Sequence, residues 1–366
     1  MLLRNRLKKE LANLLILKNN SITGSILFVF TITILILISN AYMKMPGDNR
    51  SSGIYFGQKI DNYESVESFP YSIKTDVVQK KYRLKDLEYS FLEELHIPGM
   101  PETRAFDYEN HYIFDIGQCL QGICFTEEFI LITSDSDGKD CLGELLVFDR
   151  QTGEYLVTLG MDEDSHLGGV AWDGKNVWVC NSSNHTIERL SYRFIQIAVS
   201  QKPGTMMDVT NLMETYEVEN SPSGITYADG YLWVVTHNIW TDDNMISYQF
   251  DEKENLLRRK NAYQIPSQVQ AVTFGEKGEV YLSISYGRRR SSYIRQYESV
   301  QKMNKDVDEY ESIIEMPPCS EGIVLYENNL YVLFESAGEK YLEGTDGLGR
   351  SLCPLDKILI IDLTLP

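Results

Sequence analysis

Five stretches of this chain repeat one another, and no other feature restricts its fold as strongly. They are QGICFTEEFILITS (121–134), GGVAWDGKNVWVCNS (168–182), SGITYADGYLWVVTH (223–237), QAVTFGEKGEVYLSIS (270–285) and EGIVLYENNLYVLFE (321–335). Each runs from a small residue through an aliphatic to an aromatic or aliphatic position, turns, and continues as an alternating hydrophobic run. The aligned Gly122, Gly169, Gly224, Ala271 and Gly322 stand 47, 55, 47 and 51 residues apart. Periods of ~40–50 residues built from short strands predict propeller blades. A small residue at the start of an inner strand lets backbones approach where blades crowd the axis. Ile130, Trp178, Trp233, Tyr281 and Tyr331 hold one position in the second strand, which predicts inter-blade core. Third and fourth strands follow, as in Leu145–Asp149 with Tyr155–Leu159 and Met245–Phe250 with Asn261–Ile265.

The last repeat ends too soon. After Lys357–Leu363 the chain stops, so that blade lacks a fourth strand. His111–Ile116 precedes the first repeat as other fourth strands precede theirs, and the economical expectation is that it closes the ring and removes an exposed sheet edge. The expected fold is therefore all-β: a five-bladed β-propeller over residues 111–366. The pattern resembles the broad propeller superfamily that includes NHL-type repeats, strictosidine-synthase-like proteins and the gluconolactonase type. It is similar also to membrane-anchored or secreted bacterial propellers. The resemblance implies a fold far more than an activity. Gluconolactonase-type enzymes have six blades and a metal-binding Glu/Asn/Asp set, whereas this chain has five repeats and no match to that set.

The N-terminus is of another kind. Arg4, Arg6, Lys8, Lys9 and Lys18 against Glu10 make residues 1–22 net +4, leaving net −23 for the rest of a chain whose total is −19. From Asn19 to Met43 no residue is charged, and Ile26–Ile38 is nearly all apolar. A span needs ~20 such residues, so residues 21–43 read as a transmembrane signal anchor. The basic tail, residues 1–20, then lies in the cytoplasm and the remainder is extracytoplasmic. A cleaved signal peptide is the rival, with small residues at Ser39 and Ala41; the long basic region and long apolar stretch favour the anchor. Residues 44–110 form a juxtamembrane linker, in which Leu84, Leu87, Phe91 and Leu95 are spaced for a short amphipathic helix. The acidic balance disfavours nucleic acid as a partner and suits cations, a protein or glycan partner, or plain solubility.

Several constellations bear on function. Polar residues nearest the axis are Gln121, Gln270 and Glu321 on first strands, with His237 and Glu335 ending second strands; these five form the expected ligand-binding channel mouth. Glu321 and Glu335 make the one attractive carboxylate pair there. Asp135 and Asp137 with Glu144 resemble part of a calcium loop, although Thr133 stands where its first ligand belongs. An acidic solvated hairpin is the plainer alternative. Cys119 with Cys319, and Cys141 with Cys353, occupy equivalent places in the first and last blades and are disulfide candidates, or else buried thiols. Arg288-Arg289-Arg290 is a basic loop on an acidic domain, suited to an anion or to solvent. Two functions follow: a membrane-tethered recognition module with no catalytic role, or a propeller hydrolase or lactonase using a metal or carboxylates at the channel.

Overall fold

The computed structural model describes residues 89–92, 95, 105–107, 112–114, 118–136, 141–161, 166–201 and 203–363. Among them, five antiparallel sheets follow one another along the chain in the way the repeat predicts. Three short strands come first: β1 (Tyr89–Phe91), β2 (Ala105–Asp107) and β3 (Tyr112–Phe114). Blade 1 holds β4 (Gln118–Phe125), β5 (Phe129–Ser136), β6 (Glu144–Asp149) and β7 (Tyr155–Gly160). Blade 2 begins with β8 (Val170–Trp172), β9 (Asn176–Asn181) and β10 (Thr186–Ser191). The chain then leaves it through helix α1 (Tyr192–Gln201) and β11 (Met206–Asp208), which adds in parallel to β7, before β12 (Glu214–Glu217) completes the blade. This excursion accounts for the longest repeat interval.

Blade 3 is the meander β13 (Gly224–Ala228), β14 (Tyr231–Val235), β15 (Asp243–Asp251) and β16 (Leu256–Ile265). Blade 4 is β17 (Val269–Phe274), β18 (Val280–Ile284), β19 (Ser292–Tyr297) and, after helix α2 (Val300–Lys305), β20 (Ser312–Met316). Blade 5 contains β21 (Ser320–Tyr326), β22 (Asn329–Phe334) and β23 (Leu359–Asp362), with helix α3 (Glu339–Leu342) in a long insertion between the last two.

The ring is closed by β1, not by residues 111–116. Tyr89, Ser90 and Phe91 pair with Ile361, Ile360 and Leu359, and the Leu92 amide donates to the Ile358 carbonyl at 3.0 Å. The expected closing segment instead pairs, through β3, with β2 in a two-stranded sheet of its own. Burial explains the choice. Phe91 packs on the core between blades 4 and 5, while Leu92 and Leu95 reach the core between blades 5 and 1. The segment expected as an amphipathic helix is thus extended at Tyr89–Phe91, with Leu92 and Leu95 spent on blade closure, while Leu84 and Leu87 lie outside the described residues. Residues 21–43 lie outside the described residues. Among the described residues no helix is long and apolar enough to cross a membrane.

Side chains of matching position fill the spaces between blades. Trp178 is fully buried with Ile225 and Tyr248 of blade 3, Trp233 with Leu282 of blade 4, Tyr281 with Phe334 of blade 5, and Ile130 with Leu333 across the closure. At the axis, the small residues allow contact of backbone on backbone. A Cβ on Gly122 would fall 2.7 Å from Gly169 Cα, one on Gly169 2.9 Å from Gly224 Cα, one on Gly224 3.2 Å from Ala271 Cα, and one on Gly322 3.0 Å from Gly122 Cα. The inner strands therefore pinch together in a waist that separates two mouths. The upper mouth lies where inner strands begin, the lower where they end.

Candidate functional site

Above the waist, aligned positions of different blades become neighbours. Gln121 Nε2 donates to Glu335 Oε2 at 3.3 Å, and Gln270 Nε2 donates to Glu321 Oε1 at 3.1 Å. Glu321 and Tyr341 both lie close to Glu335. Burial first, then the charge of Glu335 and the bond to it, raise the Glu321 carboxyl well above the carboxylate range, with Lys340 opposing. Glu321 is therefore held in its neutral form. Burial and the same two carboxyls raise the Tyr341 phenol, which stays a donor. Glu335 thus stands among groups of its own blade, of blade 1 and of the insertion.

Two histidines flank this pair. His166, in the linker leading into blade 2, bonds through Nδ1 to Asp135 Oδ2 at 2.8 Å. Burial works against its charged form, but the bond and the charges of Asp135 and Glu335 outweigh it, so its pKa is raised. His237 Nδ1 lies 3.3 Å from the Val269 carbonyl, which can only accept, so that nitrogen carries the proton and Nε2 is the acceptor. Burial and the nearby His166 lower its pKa. All five residues expected at the channel mouth therefore gather at one end, four by direct bonds to one another.

Sequence reasoning missed Tyr341, His166 and Lys340. Tyr341 belongs to the insertion between β22 and β23, which caps this end. A Cβ on Gly338 would meet Cys119 Sγ at 2.7 Å, so the cap rests on the start of β4. Arg288 secures it from blade 4: its guanidinium pairs with Asp346, donates to the Lys340 carbonyl at 2.7 Å and the Gly349 carbonyl at 2.6 Å, and stacks 4.4 Å from the Tyr341 ring centroid. The basic loop offered for an anionic ligand thus spends Arg288 on holding the cap.

The remaining expectations fare differently. Asp137 lies outside the described residues, Asp135 is engaged by His166, and Glu144 is buried with Oε1 lacking a hydrogen-bond partner. Burial raises the Glu144 carboxyl well above its ordinary range. Among the described residues, no three His, Cys, Asp or Glu side chains converge as a metal site. Neither expected disulfide is formed, since all six cysteines are thiols. Cys119 and Cys319 are close enough to feel each other's charge. Cys353 lies in the cap, ahead of β23, and its carbonyl accepts from Ser336 Oγ at 3.5 Å. Burial pushes the Cys124 thiol up to about 12 and raises Cys180 and Cys319 as well, so none of these three is a thiolate nucleophile at neutral pH.

Comparison with known proteins adds little chemistry. A family described as "Protein of unknown function (DUF3616)" matches residues 166–263, the stretch through blades 2 and 3. No curated protein matches. Among solved structures, the chain is similar to glutaminyl cyclase from Myxococcus xanthus, at 12% identity and TM-score 0.38, over 67% of this chain and 92% of that one. It is similar also to a chain of the nidogen/laminin complex, at 14% identity and TM-score 0.38, over 66% and 74% of the two chains. A putative 6-phosphogluconolactonase from Bacteroides uniformis gives 15% identity and TM-score 0.35, over 64% and 70%. Likeness at this level says nothing about activity.

Proposed function

We propose that the protein is a membrane-anchored, extracytoplasmic β-propeller that binds a ligand at its upper mouth, beneath the cap. The carboxyl pair Glu321–Glu335, held by amides from two other blades, carries this reading. Burying the Glu321 carboxyl costs stability unless it is paired and hydrogen-bonded. A cluster that combines an acid donor, a carboxyl acceptor, two amides and a phenol suits a ligand rich in hydroxyl or amide groups, such as a glycan or a protein segment. The apolar run at 21–43 and its basic flank supply the anchor.

One observation favours a second reading, a hydrolase or lactonase. A carboxyl held neutral beside a second carboxyl can serve as a general acid. An ester or lactone is the substrate class of this reading.

A thermal-shift comparison of the full-length chain with its Glu335→Gln variant tests both. At a hundredfold excess over Kd, a bound ligand stabilises by about 2.7 kcal/mol, or roughly 5–10 °C here. Cell-wall glycan fragments should raise the parent's Tm and leave the variant unmoved. Turnover of a lactone probe by the parent alone would instead establish the hydrolase. A parent inert to both, or a variant that keeps the response, refutes the assignment of this mouth.

A further inference from the structure

The opposite mouth has its own repeat, which the upper-mouth reading leaves unused. Three residues after each small waist residue stand Phe125, Trp172, Tyr227, Phe274 and Leu325, with Tyr326 beside the last. Because the blades are related by rotation, these residues surround a cavity of ≈ 240 Å³ below the waist. The turn that follows each carries a carboxylate: Glu127, Asp173, Asp229, Glu276 and Glu327. All but Asp173 are exposed. Asp173 is occupied, accepting from Trp178 Nε1 at 2.8 Å. Lys175 on the same rim is tied to Glu252 at 2.6 Å, and with Lys277 and Arg150 the bases remain outnumbered.

The rings are braced from behind, so their orientation is set before anything binds. Phe125 meets Tyr331 edge-on with centroids 4.6 Å apart, Trp172 packs on Tyr192 at 5.3 Å, and Phe274 on Trp233 at 4.9 Å. The lining combines aromatic rings, whose faces carry negative potential, with the hydroxyls of Thr226 and Thr273 and the buried Trp172 Nε1, which has no hydrogen-bond partner, under an acidic rim. That chemistry recognises an organic cation. The protein already sets one cation against it, with the Arg150 guanidinium 5.3 Å from the Tyr326 centroid.

We infer that the lower mouth is a binding cup for a small organic cation of the alkylammonium class. Its volume is below the ~300–1,000 Å³ of drug-sized pockets, so the occupant is compact. The cup shares no residue with the upper mouth and stands whether or not the upper mouth binds anything.

Calorimetric titration of the full-length chain at constant ionic strength tests this, with choline against neohexyl alcohol, its uncharged carbon isostere. Choline should bind saturably, and the alcohol about tenfold more weakly or not at all. Tyr227→Leu alters a side chain 39% exposed and should fold as the parent while losing several-fold in choline affinity. Glu335→Gln should bind choline as the parent does, which separates this site from the upper mouth. Absence of saturable choline binding, equal binding of the alcohol, or an unaffected Tyr227→Leu variant would overturn the inference.

Discussion

Replacing Gly169 by alanine tests the closed waist directly. The new Cβ would lie 2.7 Å from the Ile225 amide nitrogen and 2.9 Å from Gly224 Cα. Non-bonded heavy atoms settle near ~3.5 Å, so the inner strand of blade 3 would have to retreat by about 0.8 Å. It has little room. Gly224 and Ile225 are held in register against Val235 and Val234, and a Cβ on Gly224 would itself come within 2.4 Å of the Gln270 carbonyl oxygen. The displacement therefore passes into blade 4, and because backbone must move, the cost belongs in the upper part of the ~1–3 kcal/mol range for overpacking. At ~2–4 °C per kcal/mol for a domain of this size, the melting temperature should fall by about 4–12 °C. Blade 4 supplies the control, since alanine is native there. Ala271→Gly removes one methyl and should cost about 0.5–1 kcal/mol. Calorimetric melting of the parent and both variants is the assay. A Gly169→Ala protein that melts within about 1 °C of the parent, or an Ala271→Gly protein that loses as much, would show that the waist is not closed.

Two further outcomes follow from the upper mouth. Glu321 has a folded-state pKa raised above its unfolded value, so its contribution to stability is complete below the unfolded carboxyl pKa and is lost as pH rises through the folded value. Glu321→Gln should flatten the parent's decline with pH by up to about 1.4 kcal/mol per pH unit; chemical denaturation at several pH values checks this, and parallel profiles would contradict it. Arg288→Ala should release the cap without unfolding the blades, giving faster amide hydrogen exchange in residues 336–357 and unchanged exchange in β13–β16; exchange in the cap equal to the parent's would mean that Arg288 does not hold it.

How much of this was legible in the sequence depends on whether a residue obeys the repeat. Rotation about one axis turns equivalent positions into neighbours, so spacing alone predicted that Gln121, Gln270, Glu321 and Glu335 share a mouth and that Trp178 and Trp233 lie between blades. The closing strand was not legible, because YSF at 89–91 and YIF at 112–114 are both short apolar runs. What separates them is a tertiary property, the burial of Leu92 and Leu95 between blades 5 and 1. Asp135–His166 and Tyr341 were missed for a related reason. His166 follows an acidic run between blades, and Tyr341 lies in an insertion with no periodicity. One signal was present: from the end of β22 at Phe334 to the start of β23 at Leu359 the chain takes far longer than from Val235 to Asp243 or from Ile284 to Ser292. A blade cannot absorb such a length between its second and third strands, and those strands join at the upper mouth, so the excess had to lie over the channel. Residues inside the repeat must serve blade packing, whereas an insertion escapes that constraint. It is there that a phenol and an ammonium group can be brought over a carboxyl pair without disturbing the ring.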